Sequence, residues 1–205
     1  MVIIGITARY VDGSYKVSEN LIRKVKENKA FPLIILPGFE DYLVDILKKC
    51  QGFIIPGGVT WNASDELIIQ YAMKQDLPLL GICAGMQALA NVHNFSKDIP
   101  SDQTIPINSD THNSKEKYGH YINVTNTFLA SILGSNKILV NSRHKFTITQ
   151  ENYFLIDAYS DDGIIEAIHL PNKRFILGLQ WHPEDLDDEF SQKIFARFIE
   201  QCKIS

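Results

Sequence analysis

The 205-residue chain is 45% hydrophobic and 21% charged, with a formal net charge of −4 and a pI near 5.8. That length suits one domain with a sizeable core, and the mild acidity argues against nucleic acid or an anionic membrane as the main partner. Cys50, Cys83 and Cys202 form no CxxC pair, which excludes a disulfide framework and fits a reducing, cytoplasmic setting.

No apolar run reaches the length of a membrane span, and the short apolar start lacks the basic residues of a signal peptide. Val2 to Thr7 reads as a central strand. Ser18 is placed to cap a helix running to Asn28, with Leu21, Ile22 and Val25 on one face. Leu33 to Leu36 is a second strand after Pro32. Pro37-Gly38 then turns the chain into a helix over Asp41 to Lys49. Gly52 to Ile55 is a third strand, ended by Pro56-Gly57-Gly58. The helix expected over Ser64 to Lys74 carries Asp65 and Glu66 in its first turn. Leu79 to Ile82 is a short buried strand, and Ala84 to Val92 favours helix.

His93 to Asn108 is polar and loop-like. Tyr118 to Val124 resembles a strand, Phe128 to Leu133 a short helix, and Ile138 to Asn141 another strand. Tyr153 to Ala158 and Gly163 to His169 read as antiparallel neighbours joined by Ser160-Asp161-Asp162. Phe175 to Gln180 is a strand running into Trp181-His182-Pro183-Glu184. Asp187 is placed to cap the last helix, which ends near Cys202. Alternating strand and helix imply parallel strands with right-handed crossovers. The expected fold is therefore α/β: a single three-layer domain over residues 1–205, with a mainly parallel central sheet flanked by helices. The segment near Tyr153 to His169 should extend or flank that sheet.

Cys83 falls at a strand-to-helix corner between Gly81 and Gly85. Such a corner lifts the thiol over a helix N-terminus, whose positive end favours thiolate. The Ala84 N–H, unpaired in the first turn, can meet an oxyanion, and a backbone N–H at Gly58 can approach the same point. A thiolate nucleophile needs a base, and the base needs a group that orients it. His182 and Glu184, delivered by a strand and stiffened by Pro183, supply those parts.

Together, the Gly-Gly loop, the Gly-x-Cys-x-Gly-x-Gln elbow and His-Pro-Glu resemble the class I glutamine amidotransferase-like hydrolases. The resemblance runs from Gly5-Ile6-Thr7 to the last helix and implies their flavodoxin-like fold. Val140-Asn141-Ser142-Arg143-His144, Asp162-Gly163-Ile164-Ile165-Glu166-Ala167 and Gly178-Leu179-Gln180-Trp181-His182-Pro183-Glu184 look like segments of the gamma-glutamyl hydrolase (peptidase) branch. The resemblance implies that Cys83 is the nucleophile, His182 the general base and acid, and Glu184 the orienting carboxylate, with Gly58 and Ala84 as oxyanion donors. Gln87 would contact the glutamyl moiety. Ser142, His144, Lys145 and Phe146 would hold its alpha-amino and alpha-carboxylate end, partly through backbone.

The implied reaction is hydrolysis of a small gamma-glutamyl amide through a glutamyl thioester, with no metal and no organic cofactor. The alternatives are a glutaminase subunit feeding ammonia to a separate synthase, and a non-catalytic binding module. The partner expected is a small molecule, and a homodimer is left open. Trp61 offers a flat wall for the leaving amine, or else only packs against the next helix. Departures from the branch at Ala84 and at His144-Lys145-Phe146 leave the amine unidentified. His93, His112, His120 and His169 show no metal-ligand spacing, and His112 and His120 are expected at the surface. Cys50 and Cys202 read as structural.

Overall fold

The computed structural model describes residues 1–38, 40–92, 104–107, 110–149 and 153–204. In its first half β1 (Val2–Thr7) leads to β2 (Arg9–Val11), β3 (Ser14–Lys16), α1 (Glu19–Glu27), β4 (Ala30–Ile35), α2 (Glu40–Leu47), β5 (Gly52–Ile55), α3 (Ala63–Gln75), β6 (Leu79–Ile82) and α4 (Ala84–Val92). The second half contributes β7 (Thr104–Pro106), β8 (His120–Val124), α5 (Thr127–Leu133), β9 (Lys137–Val140), β10 (Phe146–Ile148), β11 (Leu155–Ser160), β12 (Ile165–His169), β13 (Ile176–Leu179) and α6 (Glu189–Cys202).

Among the described residues, nine strands form one sheet in the order β4-β1-β5-β6-β13-β12-β11-β8-β9. The pairings from β4 through β13 are parallel, and those from β13 to β9 are antiparallel. The expected α/β architecture is present, and the antiparallel segment extends the sheet instead of lying apart from it. β5, β6 and β13 are apolar and buried along their whole length, as strands covered on both faces must be. Leu21 and Val25 of α1 pack in one cluster with Leu129 and Leu133 of α5 and Ile194 and Phe198 of α6. Leu43 and Leu47 of α2, Ile68 and Ile69 of α3 and Met86 and Leu89 of α4 fill a second cluster. These are the two outer layers of the sandwich.

Several local expectations are corrected. Asp188, not Asp187, caps α6 by accepting from Ser191 N–H at 2.7 Å, because Asp187 is drawn to Lys24 and Arg23. Ser18 occupies the N-cap of α1, but its hydroxyl makes no capping bond. The cap of α3 is Asn62, in a reciprocal capping box with Asp65. The hairpin β2–β3 was not anticipated; it turns on Asp12 and Gly13, both at positive φ. Within the stretch read as loop, Thr104–Pro106 is a strand paired with β10, while residues 93–103 and 108 lie outside the described residues. His112 is buried and His120 nearly so, for the reason given below.

Candidate active site

Three neighbouring parallel strands, β5, β6 and β13, end on the same edge of the sheet and deliver Pro56-Gly57-Gly58, Cys83 and His182 respectively. Cys83 sits at φ +50°, in the left-handed region, between the last residue of β6 and the first of α4. Its N–H is anchored to the Leu179 carbonyl at 2.7 Å. The flanking glycines are required by space. A Cβ on Gly85 would lie 2.0 Å from the Ile55 carbonyl oxygen, and one on Gly81 would lie 2.7 Å from the Gly85 oxygen. This is the geometry of a nucleophile elbow.

His182 Nδ1 lies 2.8 Å from Glu184 Oε1. Burial works against its charge, but the Glu184 carboxylate and the hydrogen bond to Cys83 outweigh burial and push the imidazole up to about 10. The protonated ring is thereby favoured beside Cys83. Its backbone is fixed twice by Asn141, whose Oδ1 accepts from His182 N–H and whose Nδ2 donates to the His182 carbonyl, both at 2.8 Å. Gly57 packs against both side chains. A Cβ there would come within 2.6 Å of His182 Cε1 and 3.4 Å of Cys83 Cβ.

Arg9 holds this glycine loop. Its guanidinium donates to the carbonyls of Pro56 and Gly57 and pairs with Asp65 at 2.6 Å. Asp65 is fully buried and also accepts from Thr7 Oγ1 at 2.6 Å and Asn62 N–H at 2.9 Å. One carboxylate thus ties the capping box of α3 to the loop beside Cys83.

Cys83 opens into a cavity of about 250 Å³ lined by Gly58, Val59, Gln87, Asn113, Arg143, His144, Lys145 and Phe146. Gln87 Nε2 donates to the Phe146 carbonyl and to Gln180 Oε1, each at 3.2 Å. Gly58, Gln87, His144, Lys145 and Phe146 therefore meet around Cys83, and Ala84 opens α4 directly after it. Ser142 does not line this cavity: it is fully buried, with Oγ donating to the His112 carbonyl at 3.0 Å. Trp61 lines an adjoining groove of about 370 Å³ with Tyr10, Tyr15 and Pro37, which shares Gly58 and Val59 with the first cavity. Its indole N–H also donates to Glu66 at 3.1 Å, so it packs on α3 as well.

Glu166 was read only as part of a motif, and its place explains the burial of the histidines. It lies wholly buried on β12, facing His112, His120 and His144. Burial raises its pKa, but hydrogen bonds from the three imidazoles hold it well below the ordinary carboxylate range. His112 in turn is raised, Glu166 and Asp162 overcoming its burial.

The family model described as Peptidase C26 matches residues 59–184, a span holding the Cys83 elbow and the His182-Pro183-Glu184 turn. The chain belongs to the Peptidase C26 family. Among relatives of this C26 chain, a glutamine amidotransferase-like protein of Rickettsia prowazekii (strain Madrid E) is 28% identical, over 83% of each chain. A provisionally named glutamine amidotransferase of Schizosaccharomyces pombe is 31% identical, over 84% of this chain and 77% of its own. The glutaminase domain of Trypanosoma brucei CTPS, with bound acivicin, superposes with a TM-score of 0.71 at 17% identity, over 99% of this chain and 94% of that one. That likeness is one of fold.

Sequence reasoning missed Arg9, Asn141 and Glu166. Arg9 follows the first strand as an ordinary surface residue would. Asn141 and Glu166 stood inside the segments singled out, but nothing local said what either one touches.

Among the described residues, no helix is long and apolar enough to cross a membrane. Cys50 and Cys202 are buried, and burial pushes their thiols up to about 11 and about 12, which keeps them protonated and inert.

Proposed function

We propose that the chain hydrolyses the gamma-glutamyl amide bond of a small compound, with Cys83, His182 and Glu184 as its catalytic residues. The observation that carries this reading is a cysteine held at φ +50° against an imidazole raised to about 10 by Glu184 and Cys83. On this reading His182 carries the proton and the nucleophile is the Cys83 sulfur. It attacks the amide carbonyl carbon, and the carbonyl electrons move onto oxygen, facing the N–H groups of Gly58 and Ala84. His182 passes its proton to the departing amine as the C–N bond breaks, leaving a glutamyl thioester and a neutral imidazole. Water then attacks the thioester. His182 takes the water proton, the C–S bond breaks, and free glutamate and the thiolate–imidazolium pair are restored.

Gln87 and the Lys145-Phe146 backbone would read the glutamyl half, since they close the cavity beside Cys83. The leaving amine would lie across Gly58 and Val59, in the groove bordered by Trp61 and the two tyrosines. The second reading is a glutaminase that supplies ammonia to a partner synthase. It is favoured by the likeness of fold to a CTPS glutaminase domain.

A release assay over a panel of gamma-glutamyl amides, glutamine included, tests both. Cys83→Ala should lower turnover of every substrate on the order of 10⁴-fold or more, because no other group can replace the nucleophile. Near-full hydrolysis by Cys83→Ala would sink the mechanism. A co-purifying synthase that switches on glutamine hydrolysis would favour the second reading.

A further inference from the structure

Away from the Cys83 sulfur, three side chains from distant parts of the chain close on one buried point. Glu166 Oε1 lies 3.3 Å from His112 Nδ1 and 3.4 Å from His144 Nε2, and those two ring nitrogens are 3.1 Å apart. The outer nitrogen of each ring is already committed. His144 Nδ1 is 3.0 Å from the Phe146 carbonyl, which can only accept, so the ring proton belongs on Nδ1. His112 Nε2 lies 3.1 Å from both oxygens of Asp162, so its proton belongs there for the same reason. Two ring nitrogens and a carboxylate oxygen thus face one another in the interior, held together by shared protons or by an ion that displaces them. The Ser142 hydroxyl also lies 3.4 Å from His112 Nδ1.

The size of the triangle suits one class of ion. Edges of 3.1, 3.3 and 3.4 Å match one face of a tetrahedron whose centre lies about 2.0–2.1 Å from each corner, the zinc–nitrogen and zinc–oxygen distance. We propose that His112 Nδ1, His144 Nε2 and Glu166 Oε1 bind a zinc-class divalent ion. Two imidazoles and one carboxylate suit such an ion better than magnesium or calcium, which take mainly oxygen. Asp162 and the Phe146 carbonyl orient the rings from outside, as the partners of metal-bound histidines usually do. Among the described residues, Glu166 Oε2 is buried with no hydrogen-bond partner. His120 Nε2 lies 3.0 Å from the same Glu166 Oε1. Asp162, on the outer nitrogen of His112, is half exposed. By holding His144 the ion would brace the wall of the Cys83 cavity, and it takes no part in the reaction proposed above.

The test uses the chain carrying Cys83→Ala, so that the thiolate–imidazole pair cannot capture the metal. The protein is stripped with a chelator, dialysed against Zn(II), freed of loose ion by gel filtration and assayed for metal. About one zinc per chain is expected. His112→Ala and Glu166→Gln in the same background should abolish this uptake, and Asp162→Asn should weaken it about 10–100-fold. Cobalt(II) loading of the Cys83→Ala protein should give the strong visible bands of a four-coordinate nitrogen–oxygen site, a readout that does not depend on the ligand variants folding. No retained zinc, a six-coordinate cobalt spectrum, or uptake unchanged in His112→Ala and Glu166→Gln would overturn the proposal, leaving a shared proton as the cation.

Discussion

His182 stands between the Glu184 carboxylate, 2.8 Å from its Nδ1, and Cys83, and both raise its pKa. Its value of about 10 exceeds the ordinary histidine value of roughly 6.5, so the sign of its linkage is clear. The imidazolium stabilises the folded chain fully below about pH 6.5, and that contribution is lost as the pH rises towards 10. Glu184→Gln removes the largest raising influence on His182 while leaving a hydrogen-bond partner in place. On the proposed reading kcat should fall on the order of 10³–10⁴-fold, and the alkaline limb of the kcat/KM profile should move to lower pH. The fall in Tm between pH 6.5 and 10 should also flatten in the variant. An unchanged pH profile would show that Glu184 does not set the charge of His182.

At the scale of elements, the site depends on a hairpin that the sequence barely announces. Arg9 opens β2 and reaches across to the carbonyls of Pro56 and Gly57 and to buried Asp65. Removing it leaves Asp65 without its cation, although Thr7 and Asn62 still donate to that carboxylate. Arg9→Ala should therefore cost about 2–3 kcal/mol, less than a fully dry ion pair, measured by urea unfolding. With the glycine loop unbraced, kcat should fall more than KM changes. Arg9→Lys should recover part of the stability but not the rate, because an ammonium lacks the guanidinium fork. Equal rates in all three proteins would show that the loop stands without Arg9.

The parallel strands were legible because they are continuous apolar runs bounded by Pro and Gly, a pattern that needs no partner to be seen. β2 and β3 are three-residue strands of mixed polarity, and Asp12-Gly13 was their lone signal. The choice between Asp187 and Asp188 as cap was decided by Lys24 and Arg23 on another helix. The burial of His112 follows from Glu166, more than fifty residues away. Contacts of that range have no local periodicity to betray them.

At the scale of the molecule, the candidate site sits where, among the described residues, five parallel strands meet four antiparallel ones, because β13 is the last of the first set. β5, β6 and β13 bring three pieces of sequence to one edge, and Gly85 lets α4 approach the end of β5 closely enough to hold Cys83 between them. The two ends of a substrate then meet different parts of the fold. On the proposed reading the glutamyl side would face α4 and the segment entering β10, and the leaving side the groove lined by the β2–β3 hairpin, the Pro37–Gly38 turn and the loop before α3. Tyr10, Tyr15 and Trp61 give that second groove an aromatic border, and its one arginine, Arg9, is spent on Asp65 and the glycine loop. On the proposed reading such a groove would suit an amine with hydrocarbon or ring character better than ammonia. Trp61→Ala should lower kcat/KM for gamma-glutamyl amides of bulky apolar amines about 10-fold or more, the range expected for one lost aromatic wall, while glutamine turnover changes little. The measurement is the ratio of the two rates in wild type and variant. If glutamine is the best substrate and the ratio does not move, Trp61 serves only to pack on α3, and the ammonia-releasing reading gains.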